Sequence, residues 1–140
     1  MSQGKTIYHQ AAAVPFKRDK KGVQVLLITS RKTGRWIIPK GLIEPGDTAL
    51  FTAMKESTEE AGINGEIIPT VISRYSYPKW EGLCQVVVYP LKVFSLLKHY
   101  EEENERKRHW FSLDEAIRAV EKDDLKHVLR AFKQHYGQAE

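Results

Sequence analysis

The chain has 140 residues, 41% of them hydrophobic and 29% charged, with a formal net charge of +4. That length buries a core without cross-links, and the longest apolar runs, "VQVLLI" and "CQVVVYPL", are too short to span a bilayer. Cys84 is the only cysteine, which excludes an internal disulfide and a cysteine-based metal site. The start "MSQGKTIYHQ" lacks the apolar stretch of a secretory signal, so the expectation is one cytoplasmic domain over residues 1–140, with no membrane partner.

In chain order, "AAAVPF" (11–16) and "VQVLLITS" (23–30) are apolar runs on either side of "KRDKKG", which predicts strand, turn, strand. After a second turn, "RKTGR", comes the short buried segment "WII" (36–38), stopped by Pro39. A loop follows over 40–47. From Thr48 the spacing becomes helical, with Leu50, Ala53, Met54, Ser57 and Ala61 on one face. Asp47 or Thr48 caps the start, and Gly62 sits where a left-handed stop belongs. "GEIIPTVISRYSY" and "LCQVVVYPLKVF" read as strands joined near "PKWEG", and "HYEEENERKRH" (99–109) as a charged connection. "WF" (110–111) is a last short strand, with Trp110 in the core. "SLDE" (112–115) is a capping box opening a helix to about Glu121, and a final helix runs from about Asp124 to Tyr136. Strands and helices are mixed without regular alternation, so the expected class is α/β, a mixed sheet flanked by helices.

Charge is unevenly laid out. Lys17, Arg18, Lys20, Lys21, Arg31, Lys32, Arg35 and Lys40 crowd the first third, while acidic residues gather at 56–60 and 101–105. The basic group reads either as solvated turns or as a rim that attracts a polyanion. Nucleic acid is not expected, because no binding motif or basic–aromatic cluster appears.

On a helical wheel Glu56, Glu59 and Glu60 share an arc, and Glu60 lies closest to the apolar stripe. Acidic side chains favour the first turn of a helix, yet these occupy the last two, where the dipole opposes them and like charges repel. A solvated acidic face is one reading. A hard divalent cation among the carboxylates is the other, since Mg²⁺ and Mn²⁺ take oxygen ligands and no soft ligand is nearby.

The preceding loop favours the cation. Gly41, Glu56, Glu59, Glu60, Gly62 and Ile63 stand at the spacing of the Nudix box: Gly, five residues, Glu, seven residues, Arg-Glu-aliphatic-any-Glu-Glu-any-Gly-aliphatic. A chance match of the Gly and Glu positions is on the order of 10⁻⁶ per window, so residues 41–63 resemble that family. Asp47 replaces the usual Glu, Lys55 the Arg, and Ser57 the aliphatic residue. Lys55 keeps the charge but lacks the planar fork that holds a carboxylate in two places. "AAAVPF", "VLLITSRKTGRWIIPKG" and "HWFSLDEA" extend the likeness over about residues 7–120. "RWIIPKG" is similar to the branch of diadenosine and diphosphoinositol polyphosphate hydrolases.

The resemblance implies an α/β/α sandwich and metal-dependent hydrolysis of the diphosphate link in a nucleoside diphosphate derivative, such as a dinucleoside polyphosphate. It implies Glu56, Glu59, Glu60 and the Gly41 carbonyl as ligands of Mg²⁺ or Mn²⁺, and Glu59 or Glu60 as the group that takes the proton of the attacking water. Glu102, Glu103 and Glu105 are the alternative for that last role. Lys40, Arg35 and Arg31 are candidates for phosphate oxygens. Tyr77, with Tyr75 and Trp80, is a candidate for stacking on a base, with strand packing as the plainer reading. Glu44 has no assigned role. The alternatives are a diphosphoinositol polyphosphate hydrolase and a nucleotide-binding module without catalysis.

Overall fold

A computed structural model describes residues 6–137; residues 1–5, half of the stretch read above as no signal, and 138–140 lie outside it. Strand β1 (Ile7–Asp19) turns through Lys20 and Lys21 into β2 (Gly22–Thr29), with Asp19 facing Gly22. The turn is shorter than the sequence suggested: the Asp19 carboxylate accepts from the Lys21 N–H at 2.8 Å, so strand pairing runs into "KRDKKG". Next come β3 (Trp36–Ile37), β4 (Lys40–Leu42) and helix α1 (Ala49–Ala61). Strands β5 (Ile63–Ile67), β6 (Ser73–Lys79) and β7 (Gly82–Leu96) follow. β8 (Arg108–Ser112), α2 (Leu113–Ala119) and α3 (Asp123–Tyr136) complete the order.

The strands form one mixed sheet. β1 and β7 run parallel at its centre from Ile7↔Leu83 to Phe16↔Lys92, and every other pairing is antiparallel. "GEIIPTVISRYSY" is two strands rather than one. β5 pairs with the far half of β7 and β6 with its near half, and the break between them contains Pro69, which has no N–H to give a ladder. β6 enters β7 through Trp80 and Glu81, both with positive φ (53° and 58°), the backbone of a tight two-residue hairpin.

Side-chain alternation along β1 sorts the core into two layers. Ala12, Val14 and Phe16 face α2 and α3, packing with Leu113, Ala116, Leu125, Val128, Leu129 and Phe132. Ala11 and Ala13 face the other way, toward Ala53 and Ala61 of α1. Small residues on both surfaces let α1 lie close to the sheet. Helices therefore cover both faces, as the expected class requires. Ser112 and Glu115 form the reciprocal capping box at the start of α2. Trp110 is half-buried against the α1-side core. No helix among the described residues is long and apolar enough to cross a membrane.

Candidate active site

Helix α1 is fixed at both ends by residues the sequence marks for that purpose. Thr48, rather than Asp47, is the cap: its hydroxyl accepts from the Phe51 N–H at 3.0 Å. Gly62 closes the helix at φ 64°, its N–H donating to the Ser57 and Thr58 carbonyls. The inward face largely follows the expected one. Ala53, Ser57 and Ala61 are buried and Met54 packs against the core, with Thr52 and Glu60 buried beside them, whereas Leu50 is 37% exposed. The small side chains meet the sheet, and Glu60, next to that stripe, is carried inward.

β4 lies between β1 and the helix, with Gly41 opposite Ala11. A β-carbon on Gly41 would overlap the carboxyl group of Glu56, so the glycine makes room for the acidic side chain. Glu60 is only 7% exposed. One of its oxygens accepts from the Lys40 N–H at 3.3 Å and the other lies 3.8 Å from the Arg106 guanidinium. Burial pushes the Glu60 pKa up to about 8; Arg106 opposes this, and the charges of Glu56 and Glu102 add to it. Glu56 is also raised, first by burial and then by the charge of Glu59. The Glu59 carbonyl accepts from the Glu102 N–H at 3.0 Å, which ties the 97–107 connection to the end of α1. Glu102, within a stretch that reads as solvated, is buried.

Lys40 joins the carboxylates to a cavity of about 440 Å³. Its backbone binds Glu60, while its ammonium lies 5.1 Å from the centre of the Tyr77 ring. Burial, followed by the charge of Lys79, lowers the Lys40 pKa. Trp36, Tyr75, Tyr77, Arg35 and Lys122 also line the cavity, and the tyrosine rings stack with centroids 6.2 Å apart. The structure thus gathers Lys40, Arg35 and Tyr77 around one space, with Arg35 3.5 Å from Glu121. Arg31 stands apart, donating to Glu105 at 2.9 Å. Trp80 packs edge-on against Tyr8 at the hairpin, and Glu103 contacts His99. Glu44 is exposed, and its carbonyl accepts from the Asp47 N–H, closing the loop.

Sequence reasoning missed Arg106, Lys79, Lys122 and Trp36. Arg106 stands four residues after Glu102, a spacing common among solvated charges, and nothing local marks either as buried. Among the described residues no ion pair joins Asp47 to Lys55.

The donor set is carboxylate and carbonyl oxygen, repelling charges brought together under partial burial, which suits a hard divalent cation. As the side chains lie, no three His, Cys, Asp or Glu groups among the described residues converge on one cation position; Glu60 is turned to Arg106 and the Lys40 N–H.

The family model of the NUDIX domain matches residues 7–133. Human diphosphoinositol polyphosphate phosphohydrolase 3-alpha is 32% identical over 116 residues, covering 80% of this chain and 68% of that protein. The asymmetrical bis(5'-nucleosyl)-tetraphosphatase of Sus scrofa is 33% identical over 120 residues, covering 81% of each. The crystal structure of C. elegans Ap4A hydrolase superposes with a TM-score of 0.77 at 21% identity, over 92% of this chain and 98% of that one. With its box glutamates on one helix and its family match running from β1 into α3, this chain belongs to the Nudix family of hydrolases.

Proposed function

We propose that the chain hydrolyses the P–O–P link of a nucleoside diphosphate derivative, a dinucleoside polyphosphate being the favoured substrate. Nudix hydrolases generally use divalent metals, and in this chain Glu56, Glu59, Glu60 and the Gly41 carbonyl would hold Mg²⁺ or Mn²⁺. When bound, such a cation neutralises charge on the phosphate oxygens and lowers the pKa of water. A site that keeps a proton on buried Glu60 is one where added positive charge is favourable.

The observation that carries the proposal is Lys40, whose backbone holds Glu60 while its ammonium enters the aromatic cavity. A polyphosphate reaching from the cavity to the glutamates meets Lys40 on the way. Lys40 and Arg35 balance its charge, and Tyr75, Tyr77 and Trp36 offer faces to a base. Glu59 or Glu60 takes the proton of the attacking water. A diphosphoinositol polyphosphate is the second reading. It is favoured by the likeness to the human phosphohydrolase and by Lys32, Arg35, Lys40, Lys79 and Lys122 around one cavity.

The test is product release from diadenosine polyphosphates, ADP-ribose, nucleoside triphosphates and diphosphoinositols, with and without Mg²⁺. Metal-dependent turnover of at least one is expected, with losses of about 100-fold or more in Glu59→Gln and Glu60→Gln. Metal-independent turnover, or full activity in both variants, sinks the mechanism. Binding without turnover returns the chain to the non-catalytic alternative.

A further inference from the structure

The Nudix pattern places an arginine directly before its first helix glutamate. Here that residue is Lys55, whose charge acts on Glu56 but whose side chain makes no hydrogen bond or ion pair among the described residues. A different side chain faces Glu60 and Glu102. The Arg106 side chain is 9% exposed, donating hydrogen bonds to two partners and standing at ion-pair distance from a third. Nε donates to Glu102 at 2.9 Å, Nη1 donates to the Thr29 carbonyl at 3.1 Å, and Nη2 lies 3.8 Å from Glu60.

The segment bearing Arg106 is anchored on two sides. The Glu102 N–H binds the Glu59 carbonyl at 3.0 Å, and Lys107 exchanges hydrogen bonds with Thr29 at 3.0 and 2.8 Å. The guanidinium therefore arrives at fixed height between the end of α1 and the end of β2. Lysine, with one nitrogen, cannot meet three partners set this far apart. Burying a charge is costly unless the geometry is well satisfied, and here the arginine donates to the Glu102 carboxylate and stands at ion-pair distance from Glu60 of α1.

We propose that Arg106 is the positioning residue for Glu60 and Glu102, orienting them from the 97–107 segment. Lys55 acts on Glu56 while Arg106 acts on Glu60 and Glu102, so the two cations serve different carboxylates. Glu102 is kept beside the box glutamates by the same contact. The assignment rests on reading those glutamates as a cation site.

The probe is Mn²⁺ alone, titrated by electron paramagnetic resonance into the wild type, Arg106→Met and Arg106→Lys. Circular dichroism establishes folding, and kcat and KM are measured on the fastest substrate of the panel above. Arg106→Met is expected to weaken Mn²⁺ binding roughly 10–100-fold, the usual effect of removing a partner of a metal ligand. kcat should fall by a similar factor and KM by less than about threefold. Arg106→Lys should recover only a minor part, because it restores charge without the fork.

Wild-type Mn²⁺ affinity in Arg106→Met overturns the assignment, as does full recovery in Arg106→Lys. If Arg106→Met does not fold, Arg106→Lys decides, and wild-type affinity there overturns it equally. A wild type that binds no Mn²⁺ overturns the cation reading itself, a result distinct from failure of Arg106 alone.

Discussion

Gly41 acts through the side chain it lacks. Because a β-carbon there would meet the Glu56 carboxyl group, Gly41→Ala should displace Glu56 while leaving the pairing of β4 with β1 intact. The expected outcome is a loss of roughly 10–100-fold in Mn²⁺ affinity and kcat, with a melting temperature close to wild type by calorimetry. Glu60 makes a second prediction at this scale. In the metal-free protein its pKa stands at about 8, above an ordinary 4.5, so the folded state keeps a proton that the unfolded state releases. Its contribution to stability is full below pH 4.5 and is lost as pH rises toward 8. Glu60→Gln keeps an acceptor for the Lys40 N–H and removes the titration. Chelator-treated wild type should therefore lose roughly 2–4 kcal/mol more than the variant between pH 4.5 and 8, read by urea unfolding at each pH. Equal pH dependence in the two would show that the carboxyl group is not buried in this way. The placement of the box glutamates on one helix was legible in sequence because it depends on local spacing alone. Arg106 was not, because its partners come from three separate segments and only folding sets it among them.

Among the elements, α1 shows both the reach and the limit of helical periodicity. Its ends were legible from Thr48 and Gly62, since capping is local chemistry. Its inward face was legible except at one position. Ala53, Ser57 and Ala61 are buried, with Glu60 beside them, while Leu50 stays exposed, because Ala11 and Ala13 offer a shallow surface that small side chains fit most closely. The Ser57 hydroxyl donates to the Ala53 carbonyl at 2.7 Å, so its burial leaves no hydroxyl unpaired. Gly62 joins this helix to the connection beyond it. At φ 64°, with the Tyr100 ring and Arg108 in the space a β-carbon would take, Gly62→Ala should cost about 1–3 kcal/mol in equilibrium unfolding. The same change should reduce activity at temperatures where the protein remains folded, because the end of α1 carries Glu59 and Glu60. Unchanged stability would mean that the helix end adopts another stop.

Across the whole molecule the two faces of the sheet do different work. The α1 face carries the acidic residues on a thin layer of alanines. The opposite face carries the thicker core, where Phe132 packs at 5.1 Å from both Phe16 and Tyr136. Phe132→Ala should cost about 3–5 kcal/mol in urea unfolding. It should also raise KM more than it lowers kcat, because Leu125 and Asp124 of the same helix line the cavity while the glutamates lie across the sheet. A loss confined to kcat would contradict that division. A mixed sheet flanked by helices, and the final helix, were legible from patterning, whereas the α/β/α layering followed from the family resemblance. The order of strands was not, since a period of two says which face a residue takes and nothing about its neighbour.

That order also bears on synthesis. The central strand β1 is separated from its parallel partner, which begins only at Gly82, by β2 to β6 and α1. While a ribosome builds the protein, all of those elements must emerge before β1 can be flanked on both sides. Until then the hairpin of β1 and β2 waits with an open, apolar edge, the kind of surface to which other nascent chains adhere. The strand that later holds both layers apart is thus the one most in need of shelter during translation.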